Sequence, residues 1–239
     1  MKRIIFGFIV AAIPAMTLHA QVQKKAAAPA KPVLKNAKDS FGYAAGLNIA
    51  ASLKEQGVPE FSTSAMARAI EDSYAGKTPL LTREQAEMTL QQKLQEYARK
   101  KTDLEKAKGA AFMAENAKRK GVISLPNGLQ YEILQSGKDS SGLKPKPSDK
   151  VTVHYTGTLI DGTVFDSSVQ RGEPATFNLN GVIRGWTEIL QLMSKGDKWK
   201  VFIPSELGYG DHGSPPAIGP GATLIFEINL IDIIPSAKN

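Results

Sequence analysis

The chain has 239 residues, longer than one ordinary domain, which predicts two. Cysteine is absent, so disulfides and a lipid-modified cysteine are excluded. Its 30 Lys and Arg outnumber 23 Asp and Glu, but they are spread along the chain without interleaved aromatics, which argues against nucleic-acid binding.

The first twenty residues place Lys2 and Arg3 ahead of an apolar run from Ile4 to Met16, with small Ala20 before polar Gln21. This pattern predicts a secretory signal peptide over 1–20, cleaved near Ala20, and a periplasmic or otherwise extracytoplasmic mature chain. The alternative is a membrane anchor, against which stands a run shorter than the ~20 residues that span a bilayer. Residues 21–38 are rich in Ala, Lys and Pro and predict a flexible linker.

Helical signals follow. Phe41, Ala45, Ile49 and Leu53 recur every four positions until Gly57 and Pro59, predicting a helix over 39–56. Ser62 can cap a second, with Phe61 and Met66 as a staple and Ile70 and Tyr74 continuing its stripe to Gly76. Thr82 with Gln85 forms a capping box, and no proline follows until Pro126, so a helix of about 38 residues reaching ~57 Å is expected. Its apolar positions Leu90, Leu94, Tyr97, Leu104 and Ala111 hold a 4-3 spacing that Lys101 and Lys108 interrupt. We therefore expect the N-terminal half to pack and residues 99–120 to form a solvated rod. Short helices with little core of their own predict a homodimer through residues 39–100.

After Gly121 the texture becomes one of alternating runs separated by turns. Asn127-Gly128 and Asp161-Gly162 are turn dipeptides, the second joining Val151–Leu159 to Thr163–Phe165 as a hairpin. Further strands are expected over Lys198–Ile203 and Ala222–Ile234, with one helical stretch between them from Trp186 to Met193. The fold class is α+β: an all-helical N-terminal domain with a long linking helix (39–121), then an antiparallel sheet wrapped around one short helix (122–239).

Most chemical motifs are missing. His154 and His212 have no second ligand at metal spacing, so no metal is expected, and neither a Gly-x-Ser-x-Gly elbow nor a Walker loop occurs. Gly208-Tyr-Gly210-Asp-His-Gly213 matches a dinucleotide fingerprint, but Pro215-Pro216 forbids the helix that fingerprint must open. What remains is a set of aromatics with one carboxylate on the C-terminal strands and loops: Tyr155, Phe165, Asp166, Phe177, Trp186, Tyr209 and Phe226. On residue type alone these could be core aromatics.

Their order says more. Val153-His-Tyr-Thr-Gly157, Asp161-Gly-Thr-Val-Phe-Asp-Ser-Ser168, Val182-Ile-Arg-Gly-Trp186, Leu207-Gly-Tyr-Gly210 and Ala222-Thr-Leu-Ile-Phe-Glu227 resemble the FKBP-type peptidyl-prolyl cis-trans isomerases, over roughly 122–234. The front half more loosely resembles the helical domain of the macrophage infectivity potentiator subgroup, through Lys77-Thr-Pro-Leu-Leu-Thr82 and Gly128-Leu-Gln-Tyr131. The resemblance implies a twisted sheet around a short helix and an isomerase acting on X-Pro bonds of unfolded or partly folded polypeptides, without a cofactor. It puts Trp186 on the cleft floor, with Tyr155, Phe165, Val182, Ile183, Phe177 and Phe226 around the proline ring. It makes the Ile183 N–H and the Tyr209 hydroxyl donors to substrate carbonyls, and sets Asp166 near the twisting carbonyl, steadied by Tyr155 and Arg171. Ile218 is expected to close one side.

Ala175, Ser214 and Ala217 depart from the family's bulkier residues, so substrate preference and affinity for the family's macrolide inhibitors stay open. A folding chaperone with two clefts on long arms is the companion reading. Its rivals are an adaptor that has lost catalysis and a purely structural envelope protein.

Overall fold

The structure is a computed structural model and describes residues 34–138 and 142–236. The expected signal peptide, and the linker as far as residue 33, lie outside the described residues. The described residues divide into two units between residues 47 and 48.

The opening helix, α1 (Ala37–Glu55), overlaps the last two residues of the expected linker. Its first turn is held by Asn36, whose side-chain oxygen accepts from the Asp39 N–H at 3.0 Å. None of its side chains is buried.

In the second unit, α2 (Thr63–Tyr74) is capped as expected, the Ser62 hydroxyl accepting from the Ala65 N–H, and it too buries nothing. Helix α3 (Arg83–Asn116) begins with both halves of the Thr82–Gln85 capping box in place. Lys101, which breaks the apolar seam of α3, reaches back to the last turn of α1, where its ammonium donates to the Glu55 carbonyl at 3.2 Å.

The solvated-rod expectation for residues 99–120 is overturned. The buried residues of α3 are Thr102, Gly109, Met113 and Asn116, all in that stretch, whereas Leu90 and Leu104 of the apolar stripe are exposed. These buried positions also keep a 4-3 spacing, offset from the apolar one. What chooses the face is fit to the sheet: Phe112 packs on Phe202 at 6.0 Å between ring centroids, and Arg119 lies over the same ring. Deeper, Asn116 donates to the Gln130 side chain at 2.8 Å, and Gln130 donates to the Met113 carbonyl at 3.0 Å. A buried pair of amides satisfied by each other and by a backbone carbonyl is a specific contact, not a sliding one.

Among the described residues seven antiparallel strands follow: β1 (Val122–Ser124), β2 (Gln130–Gln135), β3 (Lys150–Leu159), β4 (Val164–Ser167), β5 (Ala175–Asn178), β6 (Lys198–Ile203) and β7 (Leu224–Ile234). They form one sheet in the order β1-β2-β6-β7-β3-β4, with β5 also paired to β3. The Asn127-Gly128 and Asp161-Gly162 turns join β1 to β2 and β3 to β4, each glycine at positive φ. Along β7 the even positions 224 to 230 are buried and the odd ones half-buried, so one face turns to the core.

Against that face lies α5 (Arg184–Leu190), burying Trp186, Ile189 and Leu190 on Val151, Val153, Val201 and Ile228 of the sheet. The α+β class with one short helix inside the sheet's curve is therefore what the chain adopts. A second, four-residue helix, α4 (Ser168–Arg171), and strand β5 were not anticipated; both are too short to carry a period.

Candidate active site

The cleft opens over the N-terminus of α5, where four strands and two loops bring their aromatics together. On β3 the alternation that buries Val151 and Val153 also turns Tyr155 inward. β4 contributes Phe165 and Asp166, β5 contributes Phe177, β7 contributes Phe226, and the link from β5 into α5 contributes Gly181, Val182 and Ile183. With Trp186 and Tyr209 these residues line a cleft of about 280 Å³.

Its floor is a packed set of rings. Trp186 is 4% exposed, and Tyr155, Phe177 and Phe226 stand nearly perpendicular or tilted to it, with centroids 5.1, 5.6 and 5.2 Å away. Phe165 meets Phe226 edge to face at 5.4 Å. Edge-to-face pairs set the positive ring edge on the negative ring face, so these contacts fix ring orientation as well as filling space. The result is a closely packed apolar floor.

One corner of the cleft is polar. The Tyr155 hydroxyl donates to Asp166 Oδ2 and accepts from Arg171 Nη2 at 3.1 Å, while Arg171 Nη1 pairs with Asp166 Oδ1. Arg171 is supplied by the last residue of α4, a turn whose start is capped by the Ser167 hydroxyl. Partial burial pushes the Asp166 pKa up, but the Tyr155 hydroxyl and the Arg171 guanidinium outweigh it and hold the carboxyl below the ordinary aspartate value. Burial, and then the hydrogen bond to Asp166, raise the Tyr155 pKa, so this ring keeps its proton.

Nine of the residues expected from sequence are thus brought to one cleft: Tyr155, Phe165, Asp166, Phe177, Val182, Ile183, Trp186, Tyr209 and Phe226. Two are not on its wall. Arg171 stands behind Asp166 and over the Tyr155 ring, and Ile218 is buried in the core, its backbone paired with Ser214. The Ile183 carbonyl accepts from the N–H groups of Trp186 and Thr187, which ties the cleft wall to the first turn of α5.

Two features were missed from sequence. Gly181 lines the cleft, and fully buried Ser168 fixes the Tyr155 backbone by accepting its N–H at 2.8 Å. Ser168 stands in the quoted Asp161–Ser168 motif, so the signal was present, but residue type alone did not separate a buried hydroxyl from a turn hydroxyl.

Two family models match the chain: the FKBP-type peptidyl-prolyl cis-trans isomerase over residues 142–231, and the domain amino terminal to it over residues 38–133. Among curated relatives, the outer membrane protein MIP of Legionella longbeachae is 43% identical over 203 residues, covering 82% of this chain and 85% of that protein. The FKBP-type peptidyl-prolyl cis-trans isomerase FkpA of Escherichia coli K12 is 38% identical, with 100% of this chain and 94% of that protein covered. The crystal structure of FkpA from Escherichia coli superposes with a TM-score of 0.66 at 38% identity, over 86% of this chain and all of that one. With the aromatic cleft in place and both halves matched, the chain belongs to the FKBP-type peptidyl-prolyl cis-trans isomerases.

Proposed function

We propose that this isomerase accelerates X-Pro rotation by holding the twisted amide in the aromatic cleft. The observation that carries it is the Trp186 floor, ringed by three aromatics and bordered by the Asp166 corner. An X-Pro bond turns slowly because its transition state loses amide resonance, a barrier of ~18–20 kcal/mol. Speeding it by ~10⁵ needs about 7 kcal/mol of preference for the twisted form. Twisting removes charge separation from the amide, so a water-poor apolar surface suits the twisted form better than the planar one.

In this reading the proline ring lies on Trp186, between Phe165, Phe177, Val182 and Phe226. The Ile183 N–H and the Tyr209 hydroxyl donate to substrate carbonyls. Asp166, kept ionised by Tyr155 and Arg171, orients the twisting carbonyl and attacks nothing. Because the reaction makes and breaks no covalent bond to the protein, both directions gain equally. Purified full chain should speed exchange of a short prolyl peptide, followed by protease-coupled absorbance or by exchange NMR. Trp186→Leu should lower kcat/KM by about tenfold or more. Equal rates for the two proteins would remove the cleft as the site.

The N-terminal helices support a second part of the proposal, a homodimer through residues 39–100. Phe41 on α1 is 77% exposed, and Tyr74 and Leu80 around α2 are 91% and 76% exposed. Apolar groups exposed to that degree on helices that bury nothing are suited to burial against a second copy. Two clefts per dimer would then engage one unfolded chain by avidity, which is how a chaperone activity would arise. Export follows the sequence reading: cleavage after Ala20, with the mature chain in an extracytoplasmic compartment. A mature mass beginning at Gln21 is expected, and an intact-chain mass would favour an anchor.

A further inference from the structure

Helix α3 and the segment from Ser205 to Thr223 approach each other at backbone distance, with a glycine on each side of the contact. A Cβ on Gly109 would stand 2.2 Å from Thr223 Oγ1, and one on Gly221 would stand 2.8 Å from the Thr102 carbonyl oxygen and 3.2 Å from Lys106 Cγ. A side chain at either place would force a neighbour to shift, the Thr223 hydroxyl in one case and the backbone of α3 in the other. Between these points the Lys106 ammonium lies 2.5 Å from Asp211 Oδ1 and 3.5 Å from Glu206 Oε1. Glu206 and Asp211 are the two sides of one turn, and Tyr209 stands between them.

The turn has its own backbone net. The Gly210 N–H donates to the Ser205 carbonyl, the Gly213 N–H to the Tyr209 carbonyl, and the Gly221 N–H to the Gly210 carbonyl. Tyr209 is therefore fixed by whatever fixes residues 205–213 and 221: Leu207 roots that net in the core, and α3 meets it at Glu206, Asp211 and Gly221. An isolated ion pair at this exposure contributes little to stability. This pair differs in that one cation joins both flanks of a turn bearing a cleft residue.

We propose that Lys106 is a positioning residue for the isomerase: from α3 it holds Glu206 and Asp211 together and so sets where the Tyr209 hydroxyl stands at the cleft. The cleft lining contains no residue of α3, so the action is indirect. The proposal rests on the assignment of Tyr209 as a substrate donor made above. It gives the long helix a part in catalysis besides that of a spacer.

The test uses the full chain with ring-¹³C tyrosine, in which the Tyr209 signal is identified by its loss in Tyr209→Phe. Lys106→Gln is expected to shift that signal and to lower kcat on a short prolyl peptide by about threefold to tenfold, with KM changed less than about twofold. Lys106→Arg, which keeps the cation, is expected to return both to near wild type. Melting should move by no more than about 3 °C in either variant. An unmoved Tyr209 signal in Lys106→Gln, or an unchanged kcat, would overturn the proposal. Should Lys106→Gln not fold, Asp211→Asn breaks the same link from the other side and carries the same two outcomes. Wild-type turnover in Tyr209→Phe would remove the donor assignment instead, while the ring signal still decides whether Lys106 sets the turn.

Discussion

The ring of Phe165 occupies the space that a side chain on Gly157 would need: a Cβ there would stand 2.5 Å from Phe165 Cζ and 2.8 Å from Phe226 Cε1. Gly157 pairs with Phe226 on β7 and with Asp166 on β4, so it lies at the junction of the cleft's apolar wall and its polar corner. Gly157→Ala is therefore expected to push Phe165 aside. The expected result is a fall in kcat/KM of about tenfold, with a stability loss of about 1–3 kcal/mol read by thermal melting. Full activity with unchanged melting would show that the two rings relax without cost.

Asp166 and Tyr209 face the cleft and are about half exposed, so neither supports the core. Asp166→Ala or Tyr209→Phe is expected to lower turnover of a prolyl peptide by about fivefold to tenfold, with melting nearly unchanged. Stopped-flow or NMR exchange rates beside a melting curve check both halves. Wild-type turnover in both variants would end the assignment of the polar corner.

The Tyr155 and Arg171 contacts give a pH prediction. The folded-state pKa of Asp166 is depressed, so between its folded and unfolded values the unfolded chain binds the extra proton, and stability rises with pH across that window. The contribution is complete above the ordinary aspartate value of 3.8 and is lost as pH falls through the lower folded value. Turnover is accordingly expected to stay level as pH drops to that ordinary value and to fall only below it, in step with the Asp166 carboxyl signal followed by NMR. Arg171→Gln should move the fall to higher pH. An unmoved profile in that variant would remove Arg171 as the group that keeps Asp166 ionised.

Contacts of α3 with the sheet bear on where an autonomous isomerase domain starts. Asn116→Ala would leave the buried Gln130 side-chain oxygen without its donor, while its NH₂ keeps the Met113 carbonyl, at a cost of about 1–3 kcal/mol. A fragment beginning at residue 122 should melt lower than one beginning at residue 99, because the shorter one uncovers Phe202 and Gln130. Equal melting of the two fragments would mean that the α3 contacts contribute nothing.

Dimerisation is tested at the exposed helical faces. Phe41→Glu together with Leu80→Glu is expected to convert a dimer to a monomer in sedimentation equilibrium, with turnover per cleft on a short peptide unchanged. A long form that sediments as a monomer without these changes would remove the dimer proposal.

Periodicity and cap chemistry were enough to place α2 and α3, the two glycine turns and strands β3, β6 and β7, because those signals are local: a hydroxyl at an N-cap and alternation along a strand act within a few residues. The cleft residues other than Phe177 and Gly181 were legible through five ordered motifs; alternation says that Tyr155 and Phe226 point inward, not that they meet at one indole. What tertiary structure alone decided was the face of α3 that is buried. Hydrophobicity favours Leu90, Leu94 and Leu104, but the segment before β7 takes Thr102 and Gly109 and strand β2 takes Met113 and Asn116, because close approach rewards small and hydrogen-bonding groups over apolar area. The same reason hid Lys106 and Ser168: each acts through partners more than ten positions away, at Asp211 and at Tyr155. Pattern along a chain fixes what a segment can form, and only its neighbours in space fix which side of it is used.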